Sequence, residues 1–505
     1  MSDSPQEPSQ EPSSLWLQTA APIATDTELP QGSEVVVAGA GLTGIVTALL
    51  LARRGIRVTV VEARQVGAVT TGHTTGKLSL LQGASLGEIR EQAGERALLA
   101  YAAGNLQAQA WVIDEVGDSP AIAQQVLAGT YATSLEGDDA VAREREALRA
   151  CGLEVGTFPQ DQLPFPVSEG ISMAGQWQLH PMRLLRLLVD RLREHGGRVV
   201  EGCRVVGADV QEHTVRVQTD RGDIECAALV LATGVPILDR GLFFAKLVPS
   251  RAFVGAYACD PERLPRGIHL SVDERSRSLR TAQDPNGETL LLVGSEGFTP
   301  GRPDSTREVL DGLDEWTVRW FPGARRVTWW AAQDYRSVSR LPYAGRMPRG
   351  GDRVYVATGY AKWGMTNAVA AGHAIAGEIA GDTPEWAAEL ARERPVLAAG
   401  DDAIAANAQV AGELAKGWAA AETSRGAAEA PADGEGRVMA SGLRPIAESS
   451  VDGVVCRVSA VCTHLGGIVQ WNDAERTWDC PLHGSRFDPS GRLLEGPAVR
   501  DLARE

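Results

Sequence analysis

Short apolar runs at Val35–Ala38, Val58–Val61, Leu229–Ala232 and Val354–Ala357 punctuate a chain that otherwise shows helical hydrophobic spacing from Gly32 to about Asn407. Strands of this kind alternating with helices predict an α/β fold built on a largely parallel central sheet. Between Lys246 and Tyr335 the texture changes to β-rich, aromatic segments (RAFVGAYA, ETLLLVGSEGF, RVTWWAAQDY). These predict a second, mainly antiparallel sheet at about 246–335, inserted into the first domain as the roof of a substrate pocket. Residues 1–30, rich in Pro, Ser, Gln and Glu, read as a disordered tail, leaving 31–417 as the main domain. The stretch AAAETSRGAAEAPADGEGR has no apolar period and makes 418–437 a linker. From 438 to 505 the pattern is that of a small all-β domain, so the chain as a whole is α+β.

Composition narrows the function. With 505 residues, 44% of them hydrophobic, the chain has material for about two or three globular domains. A formal net charge of −16 argues against unspecific binding to nucleic acid or anionic membranes, both of which need a basic surface. No run approaches the length of an apolar membrane span, and MSDSPQEPSQEPSS lacks the basic and apolar regions of a secretion signal, so a cytoplasmic location is expected. Of seven cysteines, Cys151, Cys203, Cys226, Cys259 and Cys456 read as isolated thiols. Only Cys462 and Cys480 sit in a pattern.

The segment EVVVAGAGLTGIVTALLLARRGIRVTVVEA is a strand, a glycine turn, a helix and a second strand. Gly39 permits the tight turn, Gly41 lets a pyrophosphate approach the backbone beside Leu42 and Thr43, and Gly44 lets helix pack on strand. The phosphates then meet a helix N-terminus, whose free N–H groups favour negative charge. Glu62, followed by Ala63 and Arg64, is placed to accept hydrogen bonds from ribose and to repel a 2′-phosphate, which selects FAD or NAD over NADP. No second glycine fingerprint exists mid-chain, and ALVLATG, ending in Ala232, Thr233 and Gly234, is a strand with a small-residue turn passing the nucleotide. Both point to FAD.

These motifs, with QLHPMRLLRLLVDRLREHG, RVVEGCRVVGAD and RVYVATGYAKWGMTNAVAAGHAIAGEI, resemble the D-amino-acid oxidase family of FAD enzymes, including glycine and sarcosine oxidases, over about Gly32 to Gly381. The resemblance implies that Gly359, Trp363, Gly364, Met365 and Thr366 neighbour the flavin ring, Val205 the adenine, and Arg64 the ribose or phosphates. It also implies that TTGHTTGKLSL, with His73, Thr74 and Thr75, runs along the pyrophosphate and ring edge. In related demethylating enzymes a histidine near the place of His73 bonds covalently to the flavin; a non-covalent FAD is expected here.

CTHLGGIVQWNDAERTWDCPLHGSRF places Cys462-x-His464, fifteen residues, then Cys480-x-x-His483. Two thiolates and two imidazoles also suit zinc, but two short loops, each followed by glycine, are what facing cluster-binding fingers require. The letters resemble the Rieske family over roughly the last seventy residues, implying a [2Fe–2S] cluster with the cysteines on one iron and the histidines on the other. High-potential members carry a disulfide cysteine in each loop, where this chain has Gly467 and Leu482, and a tyrosine near Phe487. Fewer donors to sulfur imply a potential in the lower Rieske range, although Ser485 remains a donor. The resemblance further implies an exposed histidine, His464 or His483, as the edge where electrons leave.

A flavin handles two electrons and a [2Fe–2S] cluster one, so the pair splits electrons. The leading expectation is oxidation of a small amine, amino acid or hydroxy acid, with single electrons passed to an external carrier protein. A ferredoxin-fed flavin reductase and a non-enzymatic electron-transfer or redox-sensing module remain open. Arg280, Arg336 and Tyr257 are the substrate-site candidates, with Trp330 and Lys362 as wall or gate, because arginine grips carboxylates in a two-pronged fashion. Ser339 stands where family members often have Asp. No catalytic base stands out.

Overall fold

The computed structural model describes residues 12–238, 240–393, 401–424, 429–441 and 444–505. The central sheet has six strands in the order Tyr343–Arg346, Val354–Thr358, Ala228–Leu231, Val35–Ala38, Val58–Val61, Arg198–Val200. All neighbours run parallel except the first pair. Val35–Ala38, Val58–Val61 and Ala228–Leu231 are buried at every position, which is why their sequences are continuous apolar runs. Helix Leu42–Ala52 packs on helix Gly364–Ala380, so the two glycine turns that precede these helices open on the same side. Gly372 makes this approach possible, since a Cβ there would lie 2.7 Å from Val46 Cγ1.

The second sheet is wider than expected. Its path runs Arg325–Ser337, Leu247–Ala258, Thr289–Gly294, Ser278–Gln283, Ile268–Ser271, Ala123–Ala132, Glu169–Leu179 and Lys77–Leu78, with Gly156–Thr157 paired to Glu169–Leu179. The range 246–335 therefore supplies only part of it. The strands from 77–179 were hidden because their partners lie far along the chain, beyond the helix Ser85–Val116, and the junction Ile268–Ser271 with Ala123–Ala132 is parallel.

Two further expectations are corrected. Residues 1–11 of the expected tail lie outside the described residues, but from 12 onward the chain is packed. Ser14 caps a short helix, Leu15–Thr19, in which Leu15 and Trp16 are 1% and 2% exposed. Ser13 N–H donates to Trp329 O at 2.7 Å, and Asp26 bridges to Val200. Two large apolar side chains were enough to fix a segment whose average composition is polar. Of the expected linker, 425–428 lie outside the described residues, while its first part continues the helix Asp401–Thr423. Trp418 Nε1 donates to Gly466 O at 3.1 Å and Ala421 is buried, so this helix end packs on the C-terminal domain.

That domain has two small antiparallel sheets, Gly436–Ser441 with Arg444–Val451 and Val454–Ser459, and Gln470–Asn472 with Thr477–Asp479, Arg486–Phe487 and Leu493–Glu495. It is docked on the wide sheet. Ser305 and Thr306 hydroxyls donate to Asp473 at 2.7 and 2.6 Å. Arg251 enters a buried network in which Arg486 also meets Glu475, Asp479 and Glu495. Despite burial, the charges of Arg251 and Arg486 bring Glu475 down to about 2.

Candidate functional site

A cavity of about 540 Å³ lies where the six-stranded sheet, the wide sheet and the C-terminal domain meet. Gly39, Gly41, Leu42 and Thr43 line one end, with Glu62, Ala63 and Arg64. The helix that starts at Leu42 has Gly41 as its N-cap, which has no side chain to cap it; Leu42 N–H donates to the Thr71 hydroxyl at 3.1 Å, and the helix dipole at this end favours an anion. The cradle is tight. A Cβ on Gly39 would lie 2.4 Å from Ala232 O, and one on Gly44 1.9 Å from Gly39 O. Gly44 thus does not line the cavity but lets the helix close on the turn, as its place in the motif predicts. Glu62 is fixed by backbone N–H donors of Ala40 and Arg64, both at 2.9 Å. Burial raises its carboxyl above the usual range, partly offset by those donors.

Val205, Ala232, Thr233, Gly234, Trp363, Gly364 and Met365 also line the cavity. Gly359 and Thr366 do not: Gly359 serves a turn at φ 83°, and the Thr366 hydroxyl bonds Trp363 O at 3.3 Å. The loop bearing His73, Thr74 and Thr75 forms one wall, and three side chains pin it from behind. Trp330 Nε1 donates to His73 O at 2.8 Å, Trp16 Nε1 to Thr74 O at 2.6 Å, and Arg280 Nη1 to Thr75 O at 2.6 Å and Gly76 O at 3.0 Å. His73 Nδ1 is 2.7 Å from Val69 O, and burial lowers its pKa.

Three substrate candidates are corrected, two of them by this pinning. Arg280 and Trp330 support the loop from outside the cavity, and Tyr257 lies in a core with its hydroxyl on Asp314 at 2.7 Å. Arg336 and Lys362 do line the cavity. Ser339 pairs with Ser337 at 3.4 Å, away from the lining. The sequence reading missed Lys77. It lies on the edge strand Lys77–Leu78, donates to the Ser278 hydroxyl, and has its ammonium 5.9 Å from the Trp363 ring. No acidic side chain pairs with it among the described residues. Burial, then the charges of Arg280 and Lys362, lower its pKa to about 7. A single lysine on a two-residue strand carries no signal in the sequence.

In the C-terminal domain two loops have the same turn. Cys462 N–H donates to Gly467 O at 2.8 Å and Gly466 N–H to Cys462 O at 3.1 Å, and Cys480 with Ser485, then Gly484 with Cys480, repeat both bonds at 2.8 and 3.1 Å. The loops face one another, with Cys462 and Cys480 side by side and the rings of His464 and His483 standing 5.1 Å apart, perpendicular. Backbone N–H groups of His464 and Leu465 and the Ser485 hydroxyl also neighbour Cys462. Gly467 and Leu482 meet, a Cβ on the glycine lying 2.7 Å from Leu482 Cδ1, while Phe487 is buried. The histidine edge turns inward more than expected. His483 is 5% exposed and packs on Phe244, with Tyr335 and Pro497 lining the same cleft; His464 is half-buried.

Residues 34–378 match the FAD dependent oxidoreductase family model, and residues 435–504 match that of the Rieske [2Fe-2S] domain. This chain belongs to the FAD-dependent oxidoreductase family. It is 31% identical over 502 residues, 97% of each chain, to YhfW of Bacillus subtilis (strain 168), which is named as a Rieske 2Fe-2S iron-sulfur protein. Over 46 residues, 9% of this chain and 26% of that subunit, it is 52% identical to the cytochrome b6-f complex iron-sulfur subunit 1 of Nostoc. Its fold is similar to that of the L-amino acid deaminase from Proteus myxofaciens, with a TM-score of 0.57 at 16% identity, covering 74% of this chain and 95% of the deaminase. The L-proline dehydrogenase from P. horikoshii is similar too, at a TM-score of 0.56 and 19% identity over 71% and 96% of the two chains.

The oxidoreductase binds FAD in its main domain and a [2Fe–2S] cluster in its Rieske domain. The residues present fit both groups: a glycine cradle at a helix N-terminus with a fixed carboxylate, and paired thiol and imidazole donors on facing loops. Among the described residues no helix is long and apolar enough to cross a membrane.

Proposed function

We propose that this oxidoreductase oxidises a small amine, amino acid or hydroxy acid and releases the electrons singly, through its Rieske cluster, to an external one-electron carrier. The observation that carries the proposal is the shared cavity, which joins the dinucleotide cradle, the cationic side chains of Lys362 and Arg336, the amine of Lys77, and the docked Rieske domain. When bound, FAD takes an electron pair from a C–H bond beside nitrogen or oxygen, and the cluster carries electrons one at a time. The cationic side chains suit a substrate carboxylate. Solved proteins of similar fold are named for L-amino acids, L-proline and glycine. Gly39, Gly41, Thr43, Glu62 and Arg64 hold the dinucleotide, and Cys462, His464, Cys480 and His483 hold the cluster. Gln333 ties the two: its amide donates to Gly484 O, beside His483, and to the Tyr335 hydroxyl, both at 2.8 Å. Half-buried His464 is the outward edge for the carrier.

Anaerobic mixing with panels of amines, amino acids and hydroxy acids tests this. Flavin bleaching followed by the reduced-cluster EPR signal is expected; a flavin that none of them bleaches rejects the proposed direction of electron flow.

Lys77 gives the reaction a pH dependence. With its pKa near 7, its neutral fraction grows as pH rises, and a neutral amine in the cavity accepts the ammonium proton of an amino substrate. The rate of flavin reduction should therefore climb between about pH 6 and about pH 8, and Lys77→Met should be roughly 100-fold slower with that climb removed. Stopped-flow reduction measured across this range decides it; a variant that keeps the climb rules Lys77 out as the acceptor.

A further inference from the structure

The Rieske domain supplies part of the wall of the dinucleotide cavity. Leu494, Glu495, Gly496, Ala498 and Val499 line it together with Glu62 and Val205. This segment is held from both sides. From the main domain, Arg204 donates to Leu493 O at 3.3 Å, Arg64 to Leu494 O at 3.5 Å and the Tyr335 hydroxyl to Gly496 O at 3.3 Å. From within the Rieske domain, Glu495 meets Arg486 at 2.9 Å, and Ala498 N–H donates to Ser485 Oγ at 3.0 Å. Ser485 in turn neighbours Cys462, so a single side chain stands between the cavity wall and a cluster ligand.

We propose that residues 494–499 of the Rieske domain are part of the FAD-binding site and close over the cofactor held by the glycine turn and Glu62. Leu494 and Val499 supply apolar surface, and the carbonyls of Leu493 and Leu494 fix the guanidinium groups of Arg204 and Arg64 at the cavity. FAD then leaves only when this segment opens, and opening disturbs the buried contacts of Glu495 with Arg251 and Arg486. By linkage, FAD binding and docking of the cluster domain strengthen one another by the same factor.

Hydrogen–deuterium exchange on the full chain, stripped of FAD with chaotropic salt and then reloaded, tests this. Protection of residues 39–44 reports FAD binding itself. Amides in 493–500 are expected to slow by about tenfold or more on reloading, in parallel with 39–44; protection of 39–44 with 493–500 unchanged overturns the proposal. A second measurement uses Leu494→Ser combined with Val499→Ser, in protein whose cluster EPR spectrum matches wild type. FAD release, followed by flavin fluorescence, should be about tenfold faster or more; an unchanged release rate overturns the proposal.

Discussion

Gly44→Ala is expected to yield a protein without flavin. The added Cβ would lie 1.9 Å from Gly39 O and 3.2 Å from Val37 Cγ1, and backbone, unlike the end of a flexible side chain, has nowhere to go. The helix Leu42–Ala52 must retreat from the strand Val35–Ala38, which takes its N-terminus away from the phosphates. Overpacking of this kind costs about 1–3 kcal/mol in a core. Added to the loss of helix-terminus contacts, it should weaken FAD binding by roughly 100-fold, equivalent to about 2.8 kcal/mol. Flavin-to-protein absorbance after gel filtration and titration of the stripped protein with FAD measure it. Gly55→Ala is the control. Its φ is 78° but its Cβ would meet nothing within 4 Å, so about 1 kcal/mol of backbone strain and full flavin content are expected.

The second large effect belongs to Arg486→Met. Although burial alone lowers its pKa, the carboxylates of Asp479, Glu475 and Glu495 hold Arg486 above its ordinary value, and all four side chains are buried or nearly so. Removing the guanidinium leaves three carboxylates with Arg251 as the remaining cation of this network. Breaking a buried pair in this way costs about 3–5 kcal/mol, so the Rieske domain should unfold at markedly lower denaturant concentration and lose its cluster spectrum in the same transition. The wild-type network also has a pH signature. Glu475 is depressed from 4.5 to about 2, so its ionised form stabilises the fold at every pH above 4.5, and the contribution is lost as pH falls through 2. Loss of the cluster's visible circular dichroism during acid titration should come at higher pH in the variant. A variant that tracks wild type in both denaturant and acid shows that the network is dispensable.

Local features were legible in the sequence. The glycine turn with Glu62, and the two Cys/His loops, each lie within one short stretch of strand, turn and helix or of paired loops, so spacing conveys much of their geometry. Features assembled by distant segments were not. Arg280 has the right chemistry to hold a carboxylate, but strand pairing directs it at the carbonyls of Thr75 and Gly76 and 5.2 Å over the Trp16 ring. Tyr257 was misread for the same reason, its partner Asp314 lying on another element. Trp16 sits in a polar stretch that averages to a tail, and the contribution of residues 494–499 to the cavity depends on how one domain lies on another. In each case the side chain is ordinary and the backbone path that places it is long.

Along the chain the two family matches look like beads on a string, which invites their treatment as exchangeable cassettes. The docking surface argues otherwise. Arg251 belongs to the oxidoreductase sheet yet is 2% exposed among carboxylates of the other unit, and Gly301 and Gly484 are spots where a side chain would strike backbone or Gln333 across the boundary. A Rieske unit grafted from this protein onto a different flavoenzyme would arrive with Glu475 and Glu495 missing one of their cations and with no recess shaped to receive it. A working graft would have to carry both surfaces at once.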